Sequence, residues 1–246
     1  MIRNFENPAK EGVRAINIFG LQEVKLSAIV SPSNFLLLSQ GSKEAVKALA
    51  QCCQRKEWNF SGVSGPKDLA KQFVSLRECE AMEKMRTPRE FRLFETSSQK
   101  MPASCGDNLL QLCRVESNDW PRARVWAQQF AAEAEPSMDL GAITQMAKNM
   151  YQENNLYLLK NEEKIPCAMA GFGRSTDRYQ VINMVYVPVA FRHKGIARNL
   201  IKKMIPLSHS MGFHGCLLFS DWSGKKNLYQ SMGFRELGRF IEYDLV

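Results

Sequence analysis

The segment Val185-Tyr186-Val187-Pro188-Val189-Ala190-Phe191-Arg192-His193-Lys194-Gly195-Ile196-Ala197 has the residue types and spacing to hold an anion. Val181 to Val187 is an apolar run rich in β-branched and aromatic residues and reads as a strand. Pro188, which cannot donate to a ladder, predicts its end. A basic turn follows. Beyond it Ile196, Leu200 and Met204 fall four apart, as do Ala197, Ile201 and Ile205, which is helical spacing. A cationic turn between a strand and a helix offers free backbone N–H groups and the positive end of the helix dipole. Gly195 lets a phosphate approach the backbone, and the small Ala197 keeps the first helical turn open.

The elements that must position this turn are legible on both sides. Upstream, Leu156–Lys160 and Ile165–Phe172 read as strands, the second joined to Val181–Val187 by the polar loop Gly173–Arg178. Downstream, Gly215–Ser220 reads as a short buried strand. Asn227-Leu228-Tyr229-Gln230-Ser231-Met232-Gly233-Phe234 reads as a short helix ending in Gly-Phe, and Gly238–Leu245 as a last strand. The spacing Arg-x-x-Gly-x-Ala over Arg192–Ala197 resembles the pyrophosphate-binding signature of the GNAT superfamily of acetyl-coenzyme A-dependent N-acyltransferases. Asn227–Phe234 is similar to that family's second motif. The resemblance covers Leu109 to Val246.

The resemblance implies an α/β (α+β) fold with a mixed, mostly antiparallel sheet flanked by helices, acetyl-coenzyme A as cosubstrate, no metal, and transfer to a primary amine on a small molecule or peptide. On this reading the turn Arg192, His193, Lys194, Gly195, Ile196 and Ala197 holds the two bridging phosphates. Arg192 forks onto a phosphate, and Lys194 acts as a point charge. Main-chain groups of Val185, Tyr186 and Val187 pair with the pantetheine amides as one strand pairs with another. Asn227 hydrogen-bonds the pantetheine arm or, alternatively, serves its own helix start. Tyr229 lies where the family often has a tyrosine facing the thioester sulphur, and its other reading is an amphipathic wall residue. The general base is not readable. Glu133, Glu135 and Asp139 cluster after a helical segment, Trp120 to Ala134, which Ser117-Asn118-Asp119 precedes. Glu133 is the first candidate, with a solvated surface cluster as the alternative. Leu140–Met150 reads as a second helix, and in the family these two helices border the acceptor site. Asp221 and Ser223 suit helix caps. Pro206 falls inside the helix that begins at Ile196 and predicts a kink or an end there.

The first half has its own strand–helix rhythm. Phe35–Leu38 reads as a buried strand. Ser42 suits an N-cap for a helix over Lys43–Gln54, with Ala45, Val46, Leu49 and Ala50 on one face. Trp58–Val63 reads as a strand. Pro66 suits the first turn of a helix that runs through Leu69, Ala70, Phe73, Val74 and Leu76 toward Met85, and Phe91–Thr96 reads as a further strand. Thr96 to Asn108, with Ser97, Ser98, Pro102, Ser104 and Gly106, reads as a linker, so the domains are expected to run 1–106 and 107–246. This resembles tandem members of the family whose first half has lost its cofactor site. Gly62-Val63-Ser64-Gly65-Pro66 is a glycine-rich strand-to-helix turn without the Arg-x-x-Gly-x-Ala spacing, and Pro66 lacks an N–H.

Composition narrows the rest. The chain has 246 residues, of which 45% are hydrophobic, and no apolar run approaches the roughly 20 residues needed to span a bilayer. The start has no apolar signal region, so a cytoplasmic chain is expected. Seven cysteines without a Cys-x-x-Cys pair fit reduced, buried thiols. The three histidines are scattered; His209 and His214 flank a helix end and form no evident metal site. Asn59-Phe60-Ser61 matches a glycosylation sequon without the context that gives it meaning. The net charge of +8 is spread among acidic residues rather than gathered in a run, which fits a solvated surface and a polyanionic cosubstrate better than nucleic acid. No membrane partner is expected, and a homodimer is left open. The alternative function is a non-catalytic regulatory module that keeps a coenzyme A site.

Overall fold

The computed structural model describes residues 2–6, 14–21, 23–31, 34–77, 88–97, 109–221 and 227–245. In chain order its elements are β1 (Ile2–Glu6), β2 (Arg14–Phe19), β3 (Val24–Val30), β4 (Phe35–Leu38), α1 (Lys43–Arg55), β5 (Gly62–Pro66), α2 (Lys67–Arg77) and β6 (Arg89–Ser97). There follow β7 (Gln111–Arg114), α3 (Trp120–Ala132), α4 (Leu140–Gln152), β8 (Leu156–Lys160), β9 (Pro166–Ser175), β10 (Tyr179–Tyr186), α5 (Ile196–Ser210), β11 (Gly215–Ser220) and β12 (Arg235–Asp244). The chain divides into two compact units, Met1–Arg92 with Gly238–Val246, and Leu93–Leu237. The boundary expected at residues 106 and 107, and most of the expected linker, lie outside the described residues. So do Ser223 and the expected continuation of α2 toward Met85.

In the first unit β1 to β4 pair antiparallel in sequence order, β4 pairs parallel with β5, and β5 pairs antiparallel with β12. The apolar stripe of α1 (Val46, Leu49, Cys53) and that of α2 (Ala70, Phe73) close over Ile16, Leu26, Leu36 and Val63. Ser42 caps α1 as expected, its hydroxyl accepting from Ala45 N at 3.2 Å. The strand expected at Trp58 begins only at Gly62. The reason is the end of α1. Glu57 takes φ 52°, and the N–H groups of Glu57 and Trp58 return to the carbonyls of Gln54 (3.1 Å) and Cys53 (2.9 Å). Trp58 thus closes a helix and has no N–H to give a sheet. Pro66 is the last strand residue rather than the first helical one.

In the second unit the strand order is β6-β11-β10-β9-β8-β7. β7 to β10 pair antiparallel, and β10 pairs parallel with β11. Helices cover both faces, which is why β8 reads Leu-Tyr-Leu-Leu without polar alternation. Leu156 and Leu158 pack toward α3 and α4 with Trp126, Ile143 and Met150. Tyr157 and Leu159 pack on the α5 face with Leu200, Ile201 and Met204. Asp119, expected ahead of α3, makes no cap bond. Its carboxylate receives Lys160 Nζ at 2.9 and 3.0 Å instead.

β10 breaks its own alternation. Its parallel pairing with β11 ends at Ile182↔Leu218. Against β9 the register then steps from Asn183↔Gly171 to Tyr186↔Met169, three residues against two, which is a β-bulge. Met184 sits at its centre with φ 52°. This left-handed conformation costs a non-glycine residue about 1–2 kcal/mol. Asn183 Oδ1 accepts the Met184 N–H at 2.8 Å, so the displaced donor keeps a partner. Ile182 faces α5, whereas Met184 and Tyr186 face α3 and α4. One extra residue has flipped the end of the strand.

Pro206 neither ends nor splits α5, which runs on to Ser210. The buried Leu200, Ile201, Met204, Ile205 and Ser208 hold both sides of it against the sheet, while Pro206 itself is exposed. Packing outweighs a defect that costs about 3 kcal/mol in an isolated helix. Pro206→Ala is therefore expected to raise the unfolding free energy by about 1–3 kcal/mol in urea titrations. A destabilised variant would mean that the helix backbone has been shaped around the ring.

Candidate active site

The turn after β10 is built from its own sequence. Pro188 ends the strand, and Val189–Phe191 makes one 3-10 turn. His193 at φ 61° and Gly195 at φ 72° then bend the chain into α5. His193, Lys194 and Gly195 are exposed. From His193 through Arg198 no backbone N–H finds an acceptor among the described residues; the ladder begins with Asn199 N donating to Gly195 O at 3.0 Å. Apart from Gly195 itself and its two chain neighbours, no heavy atom of the described residues lies within 4 Å of the position a Cβ there would take. Unpaired donors at a helix N-terminus, beside an open glycine, suit an anion such as a pyrophosphate. Lys194 Nζ donates to Ala190 O at 3.0 Å, which holds its charge at the turn.

The side chain expected on the phosphates points elsewhere. Arg192 Nε donates to Val187 O at 2.8 Å, and an Nη pairs with the Glu133 carboxylate just past α3. The guanidinium carbon lies 5.8 Å from the centre of the Tyr186 ring. The Tyr186 hydroxyl lies 2.9 Å from Glu133 Oε1 and 3.1 Å from Gln129 Oε1. It has one proton to give, and the carboxylate is the stronger acceptor. Burial pushes the Tyr186 phenol above its usual range, and the bond to Glu133 adds to this. Of the acidic cluster, Asp139 caps α4, accepting from Ala142 N at 2.6 Å, and Glu135 is exposed. Only Glu133 of the three meets the end of β10. Val187 enters through its carbonyl, and Val185 packs on the α5 face with Ile196.

The second motif is a single 3-10 turn, Gln230–Met232, closed by Gly233 at φ 89°. Asn227 serves it: its Oδ1 accepts from Tyr229 N at 2.8 Å and Gln230 N at 3.3 Å. Its Nδ2 is buried and has no partner among the described residues. A buried orphan donor costs about 1–3 kcal/mol, so a ligand carbonyl there would be welcome. The Tyr229 ring stands 5.9 Å from Phe94 and 5.8 Å from Phe234. Burial, and then the charge of Asp221, push its phenol up to about 12. Nothing among the described residues hydrogen-bonds its hydroxyl. Sequence reasoning missed Gln129 and Asn183. Gln129 sits one helical turn before Glu133, a spacing that could have flagged it; Asn183 carries no such signal.

The glycine-rich segment of the first unit, expected as a strand-to-helix turn, is instead strand β5, paired on both sides, with α2 starting directly after Pro66. A Cβ on Gly62 would lie 2.2 Å from the Phe35 ring and 2.7 Å from Tyr243 O, and one on Gly65 would lie 2.7 Å from Leu38 Cβ. These glycines make room for neighbouring protein, whereas Gly195 faces open space. Among the described residues no three His, Cys, Asp or Glu side chains gather as a metal site, and no helix is long and apolar enough to cross a membrane. Cys52, Cys53, Cys113, Cys167 and Cys216 are free thiols.

Residues 152–236, which hold the turn, Asn227 and Tyr229, match the family model described as an acetyltransferase (GNAT) domain. That region of the chain is thus similar to a GNAT acetyltransferase domain. Solved structures share the fold of that region and of the chain beyond it. A GCN5-related N-acetyltransferase from Sphaerobacter thermophilus is 13% identical with a TM-score of 0.58, over 93% of this chain and 79% of that one. A GNAT-family acetyltransferase from Colwellia psychrerythraea is 11% identical, also at 0.58, over the whole of both chains. A Drosophila protein is 10% identical at 0.63, over 95% of this chain and 79% of that one. No curated protein matches the sequence. The mixed sheet flanked by helices is thus the GNAT fold.

The contrast between the β5 glycines and Gly195 is testable. Gly62→Ala is expected to lower stability by about 1–3 kcal/mol through overpacking. Gly195→Ala should cost about 1–2 kcal/mol, through its backbone angle alone. Chemical denaturation of both variants checks this, and a neutral Gly62→Ala would contradict the crowding at Phe35.

Proposed function

We propose that the second unit binds acetyl-coenzyme A at the Arg192–Ala197 turn and transfers the acetyl group to a primary amine of a small molecule or peptide. The observation that carries this reading is the set of unpaired backbone donors from His193 to Arg198 around an open Gly195. They would receive the pyrophosphate, with Lys194 adding charge. Main-chain groups of Val185–Val187, beyond the last β11 pair at Ile182↔Leu218, would pair with the pantetheine amides, and Asn227 Nδ2 would donate to one of their carbonyls. The thioester supplies the acyl carbon and a thiolate leaving group. In the transfer an N–C bond forms and the C–S bond breaks. Glu133 takes the proton that the amine loses, and a proton returns to sulphur. A Tyr229 phenol near 12 parts with its proton reluctantly. We read its part as hydrogen-bond donation while charge builds on sulphur, with water completing the protonation. The first unit, its β5 glycines packed against neighbouring protein, has no cofactor site of its own on this reading.

Calorimetry with acetyl-coenzyme A, followed by thiol release over a panel of amines, tests the proposal. Wild type should bind and turn over at least one amine class. Gly195→Glu places a carboxylate where the phosphates would sit and should abolish binding while the far-ultraviolet dichroism persists. Binding without turnover of any amine would favour the non-catalytic module, and unchanged binding by Gly195→Glu would move the site elsewhere.

Tyr229→Phe should lower kcat by about tenfold with coenzyme A affinity unchanged, because the bond matters mainly in the transition state. An unchanged kcat, measured where chemistry limits the rate, would leave Tyr229 as a wall residue.

A further inference from the structure

We infer that Arg192 is a positioning residue for Glu133 rather than a phosphate ligand, a reading that rests on the acetyl transfer proposed above. The juxtaposition that carries it joins three elements. Arg192 Nε holds the carbonyl of Val187 at the end of β10, at 2.8 Å. Its Nη holds Glu133 at the end of α3. Its guanidinium carbon lies 5.8 Å from the centre of the Tyr186 ring, whose hydroxyl reaches the other oxygen of the same carboxylate at 2.9 Å. Both carboxylate oxygens are therefore engaged, one by a cation and one by a buried phenol. The Glu133 side chain is 42% exposed, and an exposed carboxylate without such partners samples many rotamers. Two donors from different elements restrict it to one orientation at the mouth of the bulged strand.

Turning Arg192 onto a phosphate would give up the Val187 carbonyl and release one oxygen of Glu133. The turn does not need it, since the backbone donors from His193 to Arg198 and the Lys194 ammonium already serve an anion there. Lysine cannot replace arginine in this place. It has the charge, but it lacks the planar fork that spans two acceptors.

The test measures coenzyme A affinity by calorimetry and amine turnover as kcat/KM in wild type, Arg192→Gln, Arg192→Lys, Glu133→Gln and the double variant Arg192→Gln/Glu133→Gln. Both Arg192 variants are expected to lose about tenfold in amine kcat/KM, the scale of one charge-assisted hydrogen bond, with coenzyme A affinity within about twofold of wild type. In the Glu133→Gln background Arg192→Gln should cause no further loss. Preserved coenzyme A affinity also shows that the variants are folded. Three results would overturn the inference alone: coenzyme A affinity about tenfold weaker in Arg192→Gln, an undiminished effect of Arg192→Gln in the Glu133→Gln background, or wild-type amine turnover in Arg192→Lys. A wild-type chain with no coenzyme A affinity would overturn the functional reading and this inference with it.

Discussion

The extra residue at Asn183–Met184 governs the geometry of the second unit. Without it, regular alternation would turn Tyr186 to the α5 face, and Glu133 would have no phenol beside it. With it, Met184 and Tyr186 join the α3 and α4 core, while Val185 and Val187 pack on the α5 face. The bulge begins where pairing with β11 stops, at Ile182↔Leu218. The end of β10 therefore has β9 on one side and no β11 pairing on the other. The left-handed Met184 is the energetic cost of this arrangement, and a side chain that is almost wholly buried holds it in place. Strain of this kind persists only where surrounding packing over-determines it.

The same chain carries glycines ahead of two helices, in strand β5 and in the turn before α5, with opposite uses. Around Gly62 and Gly65 the missing Cβ atoms are replaced by Phe35 and Leu38, so the glycines serve close packing. At Gly195 the missing Cβ leaves open space above unpaired N–H groups. Both read as Gly-rich turns in one dimension. Only the three-dimensional neighbours separate a packing glycine from a cradle, and those neighbours come from β4 in the first unit and from nothing at all in the second.

Much of the scaffold was legible because local physics decides it. Leu156–Lys160 and Gly215–Ser220 appear as strands with the expected bounds, Pro188 stops β10, and the helix starts at Ile196. Each rests on a short apolar run, a proline or a 3.6-residue period. The misreadings have a common origin in contacts distant along the chain or in a cap. Trp58 looked like a strand residue by type, yet its N–H closes α1. Pro206 looked like a helix breaker, yet the buried face of α5 outweighs it. The candidate site was legible in the course of its backbone and not in its side-chain contacts. The residues at Pro188, Gly195 and Ile196 predict the strand end, the turn and the helix start, but nothing in the spacing could join Arg192 to a glutamate 59 positions away or predict that Asn227 would spend its oxygen on the 3-10 turn and leave its nitrogen without a partner among the described residues.

The central claim is that main-chain donors at the start of α5 bind the phosphates of coenzyme A. Backbone amide chemical shifts, followed by nuclear magnetic resonance as coenzyme A is added to the full chain, test it most directly. The account predicts that the largest downfield proton shifts fall on His193 to Arg198, with the side-chain amide of Asn227 moving alongside them and the amides of Gly62 to Lys67 unmoved. Saturable shifts that leave His193–Arg198 in place, or that centre on Gly62–Lys67, would contradict it.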